Sequence, residues 1–210
     1  MSAEINSQQL HTMIKQVAET IAKHQRELNT LDSALGDGDH GTGISTAFSA
    51  AVDDLDELEN PDVMTVLKTT ASALMNRMGG ASGALYGTFF LKAALSAKGK
   101  SSLNKDDVDA LLQAGLEGVK QRGKSDVGDK TMIDALSPAV LAFVDADDLA
   151  SGWQSASQAA KTGANSTIDL VAKHGRAKFA GERSKGHMDA GAKSIALMFE
   201  AIHDYWEGQS

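Results

Sequence analysis

At 210 residues the chain can bury one substantial core, and a single domain over 1–210 is the expectation. A net charge of −8 argues against a nucleic-acid partner or an anionic membrane surface. The absence of cysteine excludes disulfides, thiolate metal sites and cysteine nucleophiles, and it fits a reducing, cytoplasmic setting.

Met1 to Gln9 is polar, without the apolar region of a signal peptide, and no window reaches the apolar run that a membrane span needs. Leu10, Met13, Ile14, Val17 and Ile21 step at three and four, which predicts an amphipathic helix of about 20 residues from near Ser7. An acidic, glycine-threaded loop follows. Thr42 or Ser45 is the expected cap of a second helix with Phe48, Val52 and Leu55 on one face. Asn60-Pro61 reads as a stop and a start, and Val63 to Met78 as a third helix. Gly79-Gly80-Ala81-Ser82-Gly83 breaks the pattern before the stripe Leu85, Phe89, Phe90, Leu91, Leu95. Leu103 and Asp106-Asp107 open a fifth helix, acids being favoured at a helix start. Met132 to Val144 predicts a sixth, with a kink at Pro138. Asp145, Asp147 and Asp148 read as a solvated connection and cap. Trp153 to Lys173 reads as a long helix, His174 to Gly191 as a loop, and Lys193 to Trp206 as the last helix. The fold class is all-α: about eight helices joined by short loops, hence an antiparallel up-and-down barrel or bundle.

Two stretches invite a functional reading. In Leu31 to Gly43, Asp32, Asp37, Asp39 and His40 are interleaved with Gly36, Gly38, Gly41 and Gly43. Clustered carboxylates repel one another unless a cation lies between them, and an all-oxygen donor set suits Mg²⁺ or Ca²⁺. The spacing is not that of an EF-hand, which favours Mg²⁺ with positions left for water and phosphate. The competing reading is a turn whose aspartates cap the next helix. The second stretch, Gly118 to Ser125, matches the Walker A letters. Its context is wrong, because a phosphate-binding P-loop follows a strand and opens a helix, whereas this segment closes a helical pattern.

Four motifs in order, Gly36-Asp-Gly-Asp-His-Gly41, Gly79-Gly-Ala-Ser-Gly83, Gly128-Asp-Lys-Thr-Met132 and Gly175-Arg-Ala through Gly181-Glu-Arg-Ser-Lys-Gly-His-Met-Asp-Ala-Gly191, resemble the ADP-binding L subunit of dihydroxyacetone kinase across essentially the whole chain. The resemblance implies an eight-helix antiparallel barrel with ADP or ATP at one end, its phosphates held through two Mg²⁺ ions by Asp32, Asp37 and Asp39. It further implies nucleotide contacts from His40, Gly41, Thr42, Gly43, Ala81, Ser82, Gly123, Met132, Arg176, Asp189, Ala190 and Gly191. Implied partners are a dihydroxyacetone-binding K subunit and a phosphohistidine carrier M subunit of the phosphotransferase system, with room for a homodimer. The family also holds ATP-dependent kinases for other small ketoses or polyols, and nucleotide-loaded adaptors of transcription regulators. Charge balance supports metal: three carboxylates beside a polyphosphate gather roughly six or seven negative charges, each pair about 4 Å apart costing several kcal/mol at intermediate dielectric. Arg176 and Lys130 are candidates to offset part of that charge.

Overall fold

The computed structural model describes residues 4–208. Nine α-helices form among them: α1 (Ser7–Lys23), α2 (Gln25–Ser33), α3 (His40–Asp56), α4 (Val63–Arg77), α5 (Gly80–Ser96), α6 (Lys105–Gly123), α7 (Ile133–Val144), α8 (Leu149–Ser166) and α9 (Ala190–Glu207). Eight of them close a ring, because each of α3 to α9 packs on its predecessor and α9 returns to α1. The short α2 is the extra helix, lying against α3 and α9. It arises because the predicted first helix breaks at His24, where the backbone leaves helical geometry (φ −97°, ψ 7°) and the ring nitrogen Nδ1 pairs with Glu27 at 2.6 Å.

The helices alternate in direction. A two-residue antiparallel pairing, β1 (Ile5–Asn6) with β2 (Ser102–Leu103), joins the starts of α1 and α6. At that same end the Lys105 ammonium at the start of α6 reaches Val144 O at the end of α7 and sits 4.8 Å over the Phe143 ring. The starts of α3, α5, α7 and α9 therefore share the opposite end. One continuous core fills the ring, with Ile21, Phe48, Leu74, Tyr86, Val119, Phe143 and Trp153 among its members.

Pro138 lies inside α7 without ending it. Proline has no N–H to give to the carbonyl four residues back, here that of Asp134. Helix α8 crosses at this point: a Cβ on Gly163 would stand 2.1 Å from Asp134 O. Only glycine lets the two backbones meet there. The Walker-like letters lie in the last turns of α6, and Lys124 is its left-handed C-cap (φ 50°). The segment is helix, so its amides are not arranged to cradle phosphate.

Gly163→Ala should destabilise the fold by about 1–3 kcal/mol through overpacking, measured by chemical denaturation; an unchanged midpoint would refute the close crossing. Lys124→Gly should raise the melting temperature, since a side chain in left-handed geometry is penalised by about 1–2 kcal/mol; a lowered melting temperature would contradict the left-handed cap.

Candidate functional site

The site is built on Asp32. Its carboxylate oxygen Oδ2 accepts the backbone N–H groups of Gly38 (2.9 Å), Asp39 (3.0 Å) and His40 (3.3 Å). Three amides that would stand bare at the start of α3 are thereby satisfied from the preceding helix. Asp39, the residue in the N-cap position, makes no capping bond of its own. That is why α3 begins at His40 and not at Thr42 or Ser45. The turn depends on Gly38, which sits at φ 77°, where a Cβ would also stand 2.3 Å from Ser33 Oγ. Asn29 braces the arrangement, giving Nδ2 to Thr42 Oγ1 at 2.9 Å and taking the Thr42 N–H at 3.0 Å.

Asp32, Asp37 and Asp39 each present an oxygen within 4.8 Å of the others. Asp32 is half-buried, and the other two are exposed. The donor set is all carboxylate and is not consumed by capping: only one Asp32 oxygen is used by the turn. Arg176, from the loop before α9, pairs with Asp37 and places a cation on the cluster. The capping and metal readings are thus not exclusive, since the amides of the turn occupy Asp32 Oδ2 alone and Asp39 makes no cap. Arrangement and chemistry fit a hard cation such as Mg²⁺.

Three further segments converge on this end. Gly79 caps α5, which places Ala81 and Ser82 in its first turn, Ala81 exposed and Ser82 half-buried. A Cβ on Gly43 would lie 3.6 Å from Met78 Cγ, which sets this turn beside α3. Asp189 caps α9 by accepting the Ala192 N–H at 2.8 Å, and one on Gly191 would lie 3.4 Å from Met132 Cβ. Gly123 closes α6 against Leu85 of α5. Met132 and Ala190 are buried, and Arg176 is exposed.

The His40 ring is turned into the barrel. Its Nε2 lies 3.1 Å from Ser194 Oγ, which lies 2.5 Å from the Tyr86 hydroxyl, and Gly191 O is within hydrogen-bond reach of both hydroxyls, at 2.9 and 3.2 Å. Burial holds the imidazole below its usual range against the pull of Asp32, and burial likewise raises the Tyr86 phenol. One hydrogen-bonded group therefore keys the starts of α3, α5 and α9 to each other. Tyr86 and Ser194 carry no motif signal, and their spacing reads only as core.

Lys130 is also turned inward. It is 2% exposed and donates to the carbonyls of Thr167 and His187. Its ammonium is engaged by the chain itself, so it does not offset phosphate charge as expected from the sequence. Buried Asp134 takes the N–H groups of Gly128 (2.6 Å) and Thr131 (2.7 Å), fixing the turn that carries Lys130.

Comparison with known proteins gives this end a family. The DAK2 domain family matches residues 34–204. The chain is 40% identical over 195 residues to the ADP-binding subunit of PEP-dependent dihydroxyacetone kinase 2 of Listeria innocua, covering 90% of each chain. The chain belongs to the family of dihydroxyacetone kinase ADP-binding subunits. The corresponding Escherichia coli subunit is 37% identical over 179 residues, covering 83% of this chain and 85% of the relative. The solved dihydroxyacetone kinase of C. freundii in complex with AMP-PNP and Mg²⁺ superposes with a TM-score of 0.74 at 31% identity, over 92% of this chain and 33% of that one. This chain thus spans about a third of the solved kinase. The resemblance drawn from the four motifs is borne out, as is the all-α fold.

Burial pushes the Asp189 carboxyl from 3.8 up to about 6, while its bond from Ala192 and the charge of Lys130 oppose the rise. A raised carboxyl pKa means that the folded state binds the proton more tightly than the unfolded chain, so stability from this group is lost as pH rises from about 4 to about 6. Over that window the wild type should lose stability relative to Asp189→Asn, which keeps the cap; denaturant midpoints showing the opposite trend would contradict the burial.

Proposed function

We propose that this chain, as one domain over 1–210, is the nucleotide-holding subunit of a dihydroxyacetone kinase. In this reading it binds ADP or ATP with two Mg²⁺ ions at the end where α3, α5, α7 and α9 begin. It passes a phosphoryl group to dihydroxyacetone on a partner K subunit, and retained ADP is rephosphorylated by a phosphohistidine carrier in the cytoplasm. The observation that carries this is the acidic cluster at the mouth of those helices. Among the described residues, Asp32, Asp37 and Asp39 form the one such group of possible metal ligands. Relatives that match this chain nearly end to end are named as ADP-binding subunits of PEP-dependent kinases. No helix among the described residues is long and apolar enough to cross a membrane.

Each residue has a physical task in this reading. Asp32, Asp37 and Asp39 hold Mg²⁺, which when bound offsets polyphosphate charge and orients the transferring group. The uncapped first turn of α5 (Ala81, Ser82) presents amides to phosphate, and the first turn of α3 (His40 to Gly43), whose amides are largely taken by Asp32 and Asn29, contributes its positive dipole end and close glycine backbone. Met132 and the Asp189-Ala190-Gly191 turn, with Gly123 across from them, flank the rest of the nucleotide. Arg176 exchanges Asp37 for phosphate oxygens, keeping its charge paired in both states. Transfer then rests on positioning and charge stabilisation, with no covalent intermediate on the protein.

Excess Mg-ADP should raise the wild-type melting temperature, a ligand at about a thousand times its Kd adding roughly 4 kcal/mol. Asp37→Asn and Asp39→Asn should each lose this rise while melting like the wild type in EDTA, because Asp39 makes no capping bond and the exposed Asp37–Arg176 pair adds little to stability. Retention of the full rise in both variants would reject the metal assignment.

A further inference from the structure

We propose that Lys130 is a positioning residue, its buried ammonium bridging the two ends of the loop between α8 and α9 and so fixing Arg176 and the Asp189–Gly191 turn against the acidic cluster. The inference rests on reading this end of the barrel as a nucleotide site.

The two carbonyls that Lys130 meets belong to Thr167, at the start of the loop, and His187, near its end. Between them lie the short 3-10 turns Thr167–Asp169 and Ala177–Ser184 and no α-helix. The loop's buried and backbone ties are neutral: Gly186 N–H to Ile168 O at 2.8 Å, Ala172 N–H to Ser184 Oγ at 2.9 Å and Asp189 N–H to Thr167 Oγ1 at 3.0 Å. Its ion pairs, Lys185 with Glu182 and Lys173 and His174 with Asp129, involve side chains at or near the surface. Lys130 adds a buried charged tie from the turn that carries Asp129. An ammonium withdrawn from water is tolerated only where hydrogen bonds and opposite charge replace its hydration. Here the carbonyls supply the bonds, and Asp189, Asp134 and Asp169 supply the charge.

The backbone gives a second, independent sign. Lys130 sits at φ 59°, a left-handed conformation that a side chain adopts only when its surroundings impose it. Asp134 imposes it from α7 by holding the amides of Gly128 and Thr131 on either side. Constraint thus runs from α7 through Lys130 into the loop and on to the start of α9. The ends of a loop this long do not meet without loss of chain entropy, and a two-point tie offsets that loss. The ammonium meets the chain where α8 ends: the helix stops at Ser166, and the Thr167 carbonyl accepts both Lys130 and the Leu170 N–H of the following 3-10 turn.

Two variants test the bridge. Lys130→Met keeps the stem and removes the charge. Lys130→Asn suits left-handed backbone better than most residues but is too short to reach either carbonyl. Hydrogen exchange without nucleotide should show the amides of Ala172, Gly186 and Asp189 exchanging at least tenfold faster in both variants, with α3 to α6 protected as in the wild type. Calorimetry should show the Mg-ADP Kd weakened about tenfold. Unchanged exchange in the loop, or equal loss of protection throughout the barrel, overturns the bridge. Faster loop exchange with Mg-ADP affinity within twofold of wild type overturns its link to the site. Failure of the wild type itself to bind Mg-ADP rejects the nucleotide reading and with it that link, while the exchange arm still decides the bridge.

Discussion

The architecture of the polar end depends on one carboxylate taking three amides. Asp32 Oδ2 gathers the N–H groups of Gly38, Asp39 and His40, and that single acceptor sets where α3 starts, how the loop from α2 turns, and which way Asp37 and Asp39 face. Anionic groups are favoured at a helix N-terminus, where bare amides and the helix dipole leave partial positive charge. The same feature that stabilises the turn therefore concentrates negative charge on it. Arg176 relieves part of that charge through Asp37. Both partners are exposed, so this pairing adds little to stability, and its weight lies in what it can exchange for.

Up-and-down connectivity does the rest. With eight helices in a ring, alternate helices begin at the same end, and four N-termini converge on the acidic loop. Each start is furnished differently. Asp32 serves α3, the open Gly79-Gly80 turn serves α5, the Asp134-braced turn serves α7, and Asp189 serves α9. The His40–Ser194–Tyr86 group and the Lys130 bridge then lock these starts to one another beneath the surface. The site is prepared by buried polar contacts that link separate helix starts, which is what lets such contacts specify one arrangement.

The helices were legible because apolar spacing reports the face that each one buries, and α1 begins at Ser7 as the spacing puts it. The caps were read less well: α4 is capped by Asp62 and not by Asn60, and α6 by Asn104, with Leu103 paired in β2. The departures have identifiable causes. The start of α3 is capped from a distance by Asp32, which local cap rules do not see. The predicted helix from Trp153 to Lys173 stops at Ser166, where the chain tightens into the 3-10 turn Thr167–Asp169 and the Thr167 carbonyl also meets Lys130, far away in sequence. The break at His24 carries no proline or glycine to mark it. Within the candidate site, the aspartates were legible from charge density and glycine spacing. Arg176, Met132 and the 189–191 turn came only through resemblance of motifs, since nothing local marks them. Tyr86, Ser194 and Asp134 left no trace, because a buried polar residue in a helix reads like any other core position until its partners are placed. Lys130 read as a phosphate-facing cation for the same reason.

Calorimetric titration of ADP into the protein, in Mg²⁺ and again in EDTA, tests the central claim most directly. Phosphates brought beside three carboxylates meet repulsion of several kcal/mol per pair at about 4 Å unless a cation intervenes. The account predicts saturable binding in Mg²⁺ and affinity at least tenfold weaker in EDTA. Equal affinity in the two buffers would show that the acidic loop is a helix cap and not the seat of a metal-bridged nucleotide.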